Sequence, residues 1–274
     1  MNRWSYILVA LFSLAVQPDC LHAGELVGAA PQDDLVKQEF CSRTLDDFKD
    51  FAKDPGSRIY FKNSGGILSR GVCWWHSRLQ RAAIYLTVYR PDLPRPSQKE
   101  AKKLIRKLTR MDSVVEIPGY RDFAAFSKEF GSVLQRELDR WQRQDSLFRL
   151  GWLHGIRGSS ELDEQELKEN MDRFYQEVVK KKQIAFAMLQ LPGIISHAVL
   201  VLDVVPNERG FYELVTIDSN LPDDNKDVLY FFGDRQLFNH EFQVGYVPYL
   251  DFEKDLKKIF ASIREYCGHE PAYE

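Results

Sequence analysis

Cysteine is scarce, with four in 274 residues, too few for a disulfide-stapled scaffold but enough for one bridge and one working thiol. Charge of one sign is scarce as well. Lys and Arg number 37 against 40 Asp and Glu, a net of −3, so no overall field draws the chain to anionic lipid or nucleic acid, and no nucleic-acid partner is expected. Beyond residue 16 no apolar run approaches the roughly 18 residues of a membrane span, which excludes a polytopic membrane protein. There is no Gly-rich phosphate loop, which argues against a nucleotide enzyme, and Ser64, Ser159 and Ser160 lack the glycines of a serine-hydrolase elbow. No cofactor is expected. What is present is globular: 44% hydrophobic, 13% aromatic and 28% charged residues, in a length that suits one large domain or two small ones.

Arg3 precedes an apolar run at residues 6–16, too short to span a membrane and the right length for a secretory signal. Pro18 breaks the run. Ala23 before Gly24 is a suitable cleavage point, with residues 28–30 as an alternative. The expectation is a signal peptide over residues 1–23 and a mature domain over 24–274, secreted or periplasmic, with no integral membrane span once the signal is gone. An uncleaved anchor helix is the competing reading, and Cys20 lacks the small neighbours that lipid attachment needs. No pattern speaks to oligomeric state.

Residues 32–53 carry Leu35, Phe40, Leu45, Phe48 and Phe51 at near-helical spacing, and residues 58–61 suit a short strand. A helix is predicted from Cys73 to about residue 88, with Leu79, Ala82, Ala83 and Leu86 buried and Arg78 and Arg81 off that face. The segment 97–182 reads as helical. Ser97 can cap a helix to about Met111, whose Lys99, Lys102, Lys103, Arg106, Lys107 and Arg110 make a solvated basic face, and further helices are predicted over about 121–148 and 161–182. Past Lys182 the period changes. Residues 184–190, 197–205, 211–218, 228–232 and 243–249 are rich in Val, Ile, Tyr and Phe and read as strands, and a closing helix runs over about 251–266. Helices first and an antiparallel sheet afterwards define an α+β domain.

Chemistry concentrates at three places. In Gly71-Val72-Cys73-Trp74-Trp75 a cysteine stands where a loop becomes a helix, and unpaired N–H groups with their partial positive charge favour thiolate there. A buried, inert thiol is the competing reading. His197 opens an apolar strand, and Asp218 follows 21 residues later beyond the 206–210 turn. If the two strands pair about a turn near Asn207 and Glu208, His197 and Asp218 lie almost opposite on one face, and a carboxylate there would orient the imidazole. Asn220 has the same parity and takes that place if the turn centre moves by one residue. A metal pair of Cys73 and His76 would need further ligands, which His154, His240 and His269 supply in no recognisable spacing.

Gly-Val-Cys-Trp-Trp opening a helix, then Ser-His-Ala-Val-Leu-Val and Thr-Ile-Asp-Ser-Asn on successive strands, resembles the papain-like cysteine peptidase superfamily. The Cys-to-His gap of 124 residues suits its order. The resemblance covers three short segments. It implies a helical subdomain led by the nucleophile helix and packed against the sheet, with residues 97–182 as a helical insertion. It further implies Cys73 as nucleophile, His197 as general base and then acid, and Asp218 as the orienting residue, with Asn220 second. A peptide or protein substrate follows, with cell-wall peptide amides as an alternative and a catalytically silent binding protein as another. One departure concerns the oxyanion hole: where the family usually has a glutamine, Ile67 stands six residues before Cys73, and the loop offers Asn63, Ser64 and Ser69. The Cys73 N–H is then one donor and Asn63 the candidate for the other. With Cys20 lost in the signal and Cys73 given to catalysis, Cys41 and Cys267 are left as a candidate disulfide.

Overall fold

Residues 32–64, 72–148, 162–191, 195–220, 225–239, 242–248 and 252–269 are described by a computed structural model of the chain. The expected signal with Arg3, Cys20 and Ala23 lies outside the described residues, as do Ile67, Ser69, His154 and His240.

The amphipathic stretch at 32–53 divides at Thr44. Its hydroxyl accepts the Asp47 N–H and the Asp47 carboxylate takes the Thr44 N–H, a capping box that starts a new helix. Helices α1 (Gln32–Cys41) and α2 (Leu45–Lys53) result. Residues 58–61 are irregular rather than a strand, because side chains take their backbone groups. The N–H of Ile59 donates to Gln80 Oε1 at 2.7 Å and that of Tyr60 to Ser127 Oγ at 2.9 Å, so no ladder is needed to satisfy them.

Helix α3 (Cys73–Leu86) gives way at Thr87 to β1 (Thr87–Arg90), which pairs in parallel with β2 (Val115–Pro118) across α4 (Gln98–Arg110). Ser97 and Glu100 form the capping box of α4. Its Lys102 and Arg106, with Arg140 of α5 (Phe123–Phe148), converge on the buried Glu137 carboxylate, so part of the basic face is internally matched. Helix α6 (Glu164–Phe174) runs on into a π-helical turn, Tyr175–Lys180.

Arg78 and Arg81, expected off the buried face of α3, are only 3% and 0% exposed. The reason is Asp255 on α7 (Phe252–Cys267), which takes Arg78 through two bonds of 2.7 and 3.0 Å and lies 3.6 Å from Arg81. Arg78 also stacks over the Trp141 ring at 4.7 Å. Every α3 residue after Cys73 is buried, so this helix is an axis of the fold rather than a surface helix.

The later strands are β3 (Ala185–Leu191), β4 (Ile195–Asn207), β5 (Phe211–Asp218), β6 (Asn225–Phe231), β7 (Leu237–Asn239) and β8 (Phe242–Val247). Successive strands are antiparallel, and β8 pairs back onto β3, so the sheet closes into a six-stranded barrel. The architecture is α+β. Helices α4 and α5, within the 97–182 segment, share one apolar core with α3, through Ala101, Ile105, Leu108, Phe123, Phe126 and Leu134. A second core fills the barrel and is capped by Leu167, Met171 and Phe174 of α6. Strand β4 serves both: Ala198, Leu200 and Leu202 belong to the helical core, and Val199 and Val201 to the barrel. Cys41 and Cys267 form a disulfide between α1 and α7, with Cα atoms 5.7 Å apart. Among the described residues, no helix is long and apolar enough to cross a membrane.

Candidate active site

Helix α3 begins at Cys73, where the N–H groups of a first turn have no intrahelical partner and the N-cap residue Val72 supplies no side-chain cap, so Cys73 stands at the positive end of the helix dipole. Cys73 is half-buried and is not in a disulfide. The start of the helix is tied down by Asn63. Its Oδ1 accepts the Val72 N–H at 2.6 Å, its Nδ2 donates to Asn220 Oδ1 at 3.0 Å, and its own N–H donates to the Ser219 carbonyl at 2.7 Å. One side chain therefore links the residue before Cys73 to the turn after Asp218.

His197 and Asp218 come from β4 and β5, but not as directly opposed residues. The hairpin loop sits at 208–210, with Gly210 at φ +82°, and a β-bulge lies between Val201 and Asp203. Together they set Asp218 opposite Val199, two residues along from His197. A slip of two keeps both side chains on the same face, because the side-chain period of a strand is two. The Asp218 carboxylate reaches diagonally. Its Oδ1 lies 2.7 Å from His197 Nε2 and also accepts the Asn220 N–H at 2.7 Å. The Asn220 side chain is turned to Asn63, and Asp218 is the group bonded to the ring.

His197 also hydrogen-bonds Cys73. With Nε2 committed to Asp218, the ring nitrogen left for the sulfur is Nδ1. Burial by itself would push the imidazole toward its neutral form. The hydrogen bonds and charges of Asp218 and Cys73 overcome that and raise its pKa to about 10. The group is then an imidazolium at neutral pH, held between a carboxylate and a sulfur. Chemically, this arrangement can hold a proton beside a nucleophile and return it to a leaving group.

Asn63 is the oxyanion candidate that the sequence offers. The structure places its amide in the tie just described, with one of its two N–H groups bonded to Asn220. His76, which the sequence suggests only as half of a metal pair with Cys73, has a different place. His76 lies on α3 behind Cys73, 2% exposed, its Nε2–H donating to the Phe61 carbonyl at 3.3 Å and its ring edge-on to Phe61. Burial lowers its pKa to about 4, only partly offset by the Phe61 carbonyl and the Asp218 charge, so it is neutral at pH 7. A spacing of three residues from Cys73 on a helix is the signal that would have placed it on the same side. Among the described residues, no group of three or more His, Cys, Asp or Glu side chains is arranged to hold a metal ion. Compared with protein-family models, with curated proteins and with solved structures, the chain matches none.

Proposed function

We propose that the protein is a secreted or periplasmic thiol hydrolase of papain-like type that cleaves peptide amide bonds. The observation that carries this reading is the single imidazole bonded at once to Asp218 and to Cys73, with Cys73 at a helix N-terminus. The Cys73 sulfur attacks the scissile carbonyl. The C–N bond breaks as His197 gives its proton to the departing amine, leaving a thioester on Cys73. Water then attacks the thioester, His197 takes a proton from it, and the acid product leaves as the sulfur is regenerated. Asp218 keeps the ring in the tautomer that presents Nδ1 to sulfur and supports its positive charge. The Cys73 N–H supplies one oxyanion donor. Cell-wall peptide amides fit the same chemistry.

Labelling with iodoacetamide at neutral pH tests the triad. Wild-type Cys73 reacts quickly, and His197→Ala slows it roughly 100-fold, the lower range for loss of a positioned acid or base. Equal rates in the two proteins remove the hydrolase reading and leave a binding protein of the same fold.

A further inference from the structure

Behind the Asp218 carboxylate lies a small cavity that the hydrolytic steps do not use. About 10 Å³ of it is open to the centre of a water molecule, and its polar wall is made by Arg58, His76, Ser77, Gln80, Asp218 and Ser219. Two of these are already occupied with protein partners: Ser77 donates to the Ala198 carbonyl, and Gln80 bonds the Ile59 N–H and the Ser57 carbonyl. Three buried atoms of the wall bond no protein group, Arg58 Nε, His76 Nδ1 and Ser219 Oγ, and their residues are 4%, 2% and 3% exposed; Arg58 Nε–H and the Ser219 hydroxyl are donors, and His76 is the acceptor among them. Because the Nε2–H of His76 donates to the Phe61 carbonyl, its Nδ1 carries a lone pair and needs a donor. A buried polar atom left unpaired costs about 1–3 kcal/mol, and a space of this size with two to four polar neighbours is what a structural water occupies.

We propose that one water molecule is bound in this cavity by His76 Nδ1, Ser219 Oγ and the Asp218 carboxylate, and that through it His76 positions the triad carboxylate. The hydrogen bonds balance. The water donates one O–H to His76 Nδ1 and the other to Asp218, and it accepts the Ser219 hydroxyl. Burial, which keeps His76 neutral at pH 7, also keeps its Nδ1 an acceptor. Asp218 Oδ1 already serves His197 and the Asn220 N–H, and the water holds the carboxylate from behind, so that it cannot turn away from the ring. His76 is a positioning residue, since it touches the triad only through this water. The positioning role rests on the triad reading, whereas the water site does not.

Two measurements separate the parts. A high-resolution crystal structure of the wild-type protein at neutral pH is expected to show one ordered water within hydrogen-bond distance of both His76 Nδ1 and Ser219 Oγ. An empty cavity, or either atom turned onto a protein partner, overturns the site. For the positioning role, the His197 ring is titrated by NMR in wild type, His76→Gln and His76→Leu. Gln keeps an acceptor for the water and Leu does not. In His76→Leu the His197 pKa is expected to fall by about one unit, a tenfold loss of proton affinity, and in His76→Gln to stay near wild type. Ser219→Ala removes the other side of the water and carries the same test if the leucine variant does not fold. An unchanged His197 pKa in His76→Leu and Ser219→Ala overturns the positioning role. Should Cys73 labelling be indifferent to His197→Ala, the triad fails and the water site is still decided by the density.

Discussion

Replacing both Cys41 and Cys267 by alanine cuts the covalent tie between α1 and α7. The bridge spans 226 residues of sequence, and closing so long a loop in the unfolded chain removes about 18 cal/mol/K of entropy on the chain-entropy relation. At 25 °C that corresponds to about 5 kcal/mol, an upper value, because residual structure in the unfolded chain already brings segments together; native bridges typically give 2–5 kcal/mol. For a chain of this size each kcal/mol moves Tm by about 2–4 °C, so the double variant melts roughly 5–20 °C lower by circular dichroism. The bridge lies apart from the triad, and Cys73 alkylation at 25 °C is expected to be unchanged. A fall in Tm below about 2 °C would mean that α1 and α7 are held together by packing alone, through contacts such as Phe40 against Tyr266, and the entropic reasoning would be wrong.

Three further outcomes follow from buried groups. His76 has its folded pKa lowered to about 4 from an ordinary 6.5, so the unfolded chain binds the proton first. Its contribution is complete above pH 6.5 and is lost as pH falls to 4, about 3 kcal/mol in all; urea unfolding at pH 7 and pH 4 should show this loss in wild type and much less in His76→Gln. Asn63→Ala leaves the Val72 N–H, in a fully buried residue, without its acceptor. The expected cost is about 1–3 kcal/mol in denaturant unfolding, with slower alkylation of Cys73; a stability loss with unchanged labelling would reduce Asn63 to a purely structural tie. Asp255→Ala strips Arg78 of its two-bond partner inside the helical core, for an expected loss of about 3–5 kcal/mol, and wild-type stability in that variant would mean water reaches the pair.

Legibility in the sequence followed the range of the forces involved. Strand β5 spans Phe211–Asp218, the same residues that the run of Val, Ile, Tyr and Phe marks out, and Ser97 with Glu100 announces α4 through a local cap. β1, β2 and β7 have four, four and three residues, too few for a period of two to rise above noise. The burial of Arg78 depends on an aspartate 177 residues away, which no window on α3 can contain. The parity of His197 and Asp218 was readable, because any slip of two preserves it. Their actual register was not, since it depends on a bulge at Val201/Asp203 and a left-handed glycine at 210. The Asn63 tie and the cavity behind Asp218 are products of three distant segments meeting, and they have no sequence pattern of their own.

Strand β4 has thirteen residues and alternates between two cores. That alternation has a mechanical meaning. A protein whose two halves are joined by a linker can open its cleft about a hinge, but here a hinge would have to tear a strand that is the wall of both halves. Cys73 at the start of α3 and His197 on β4 itself are therefore held on the two sides of one shared wall rather than on two bodies that can swing apart. The same strand couples the halves in unfolding: melting the barrel strips Ala198, Leu200 and Leu202 from the helical core, so the two are built to be lost in one cooperative step.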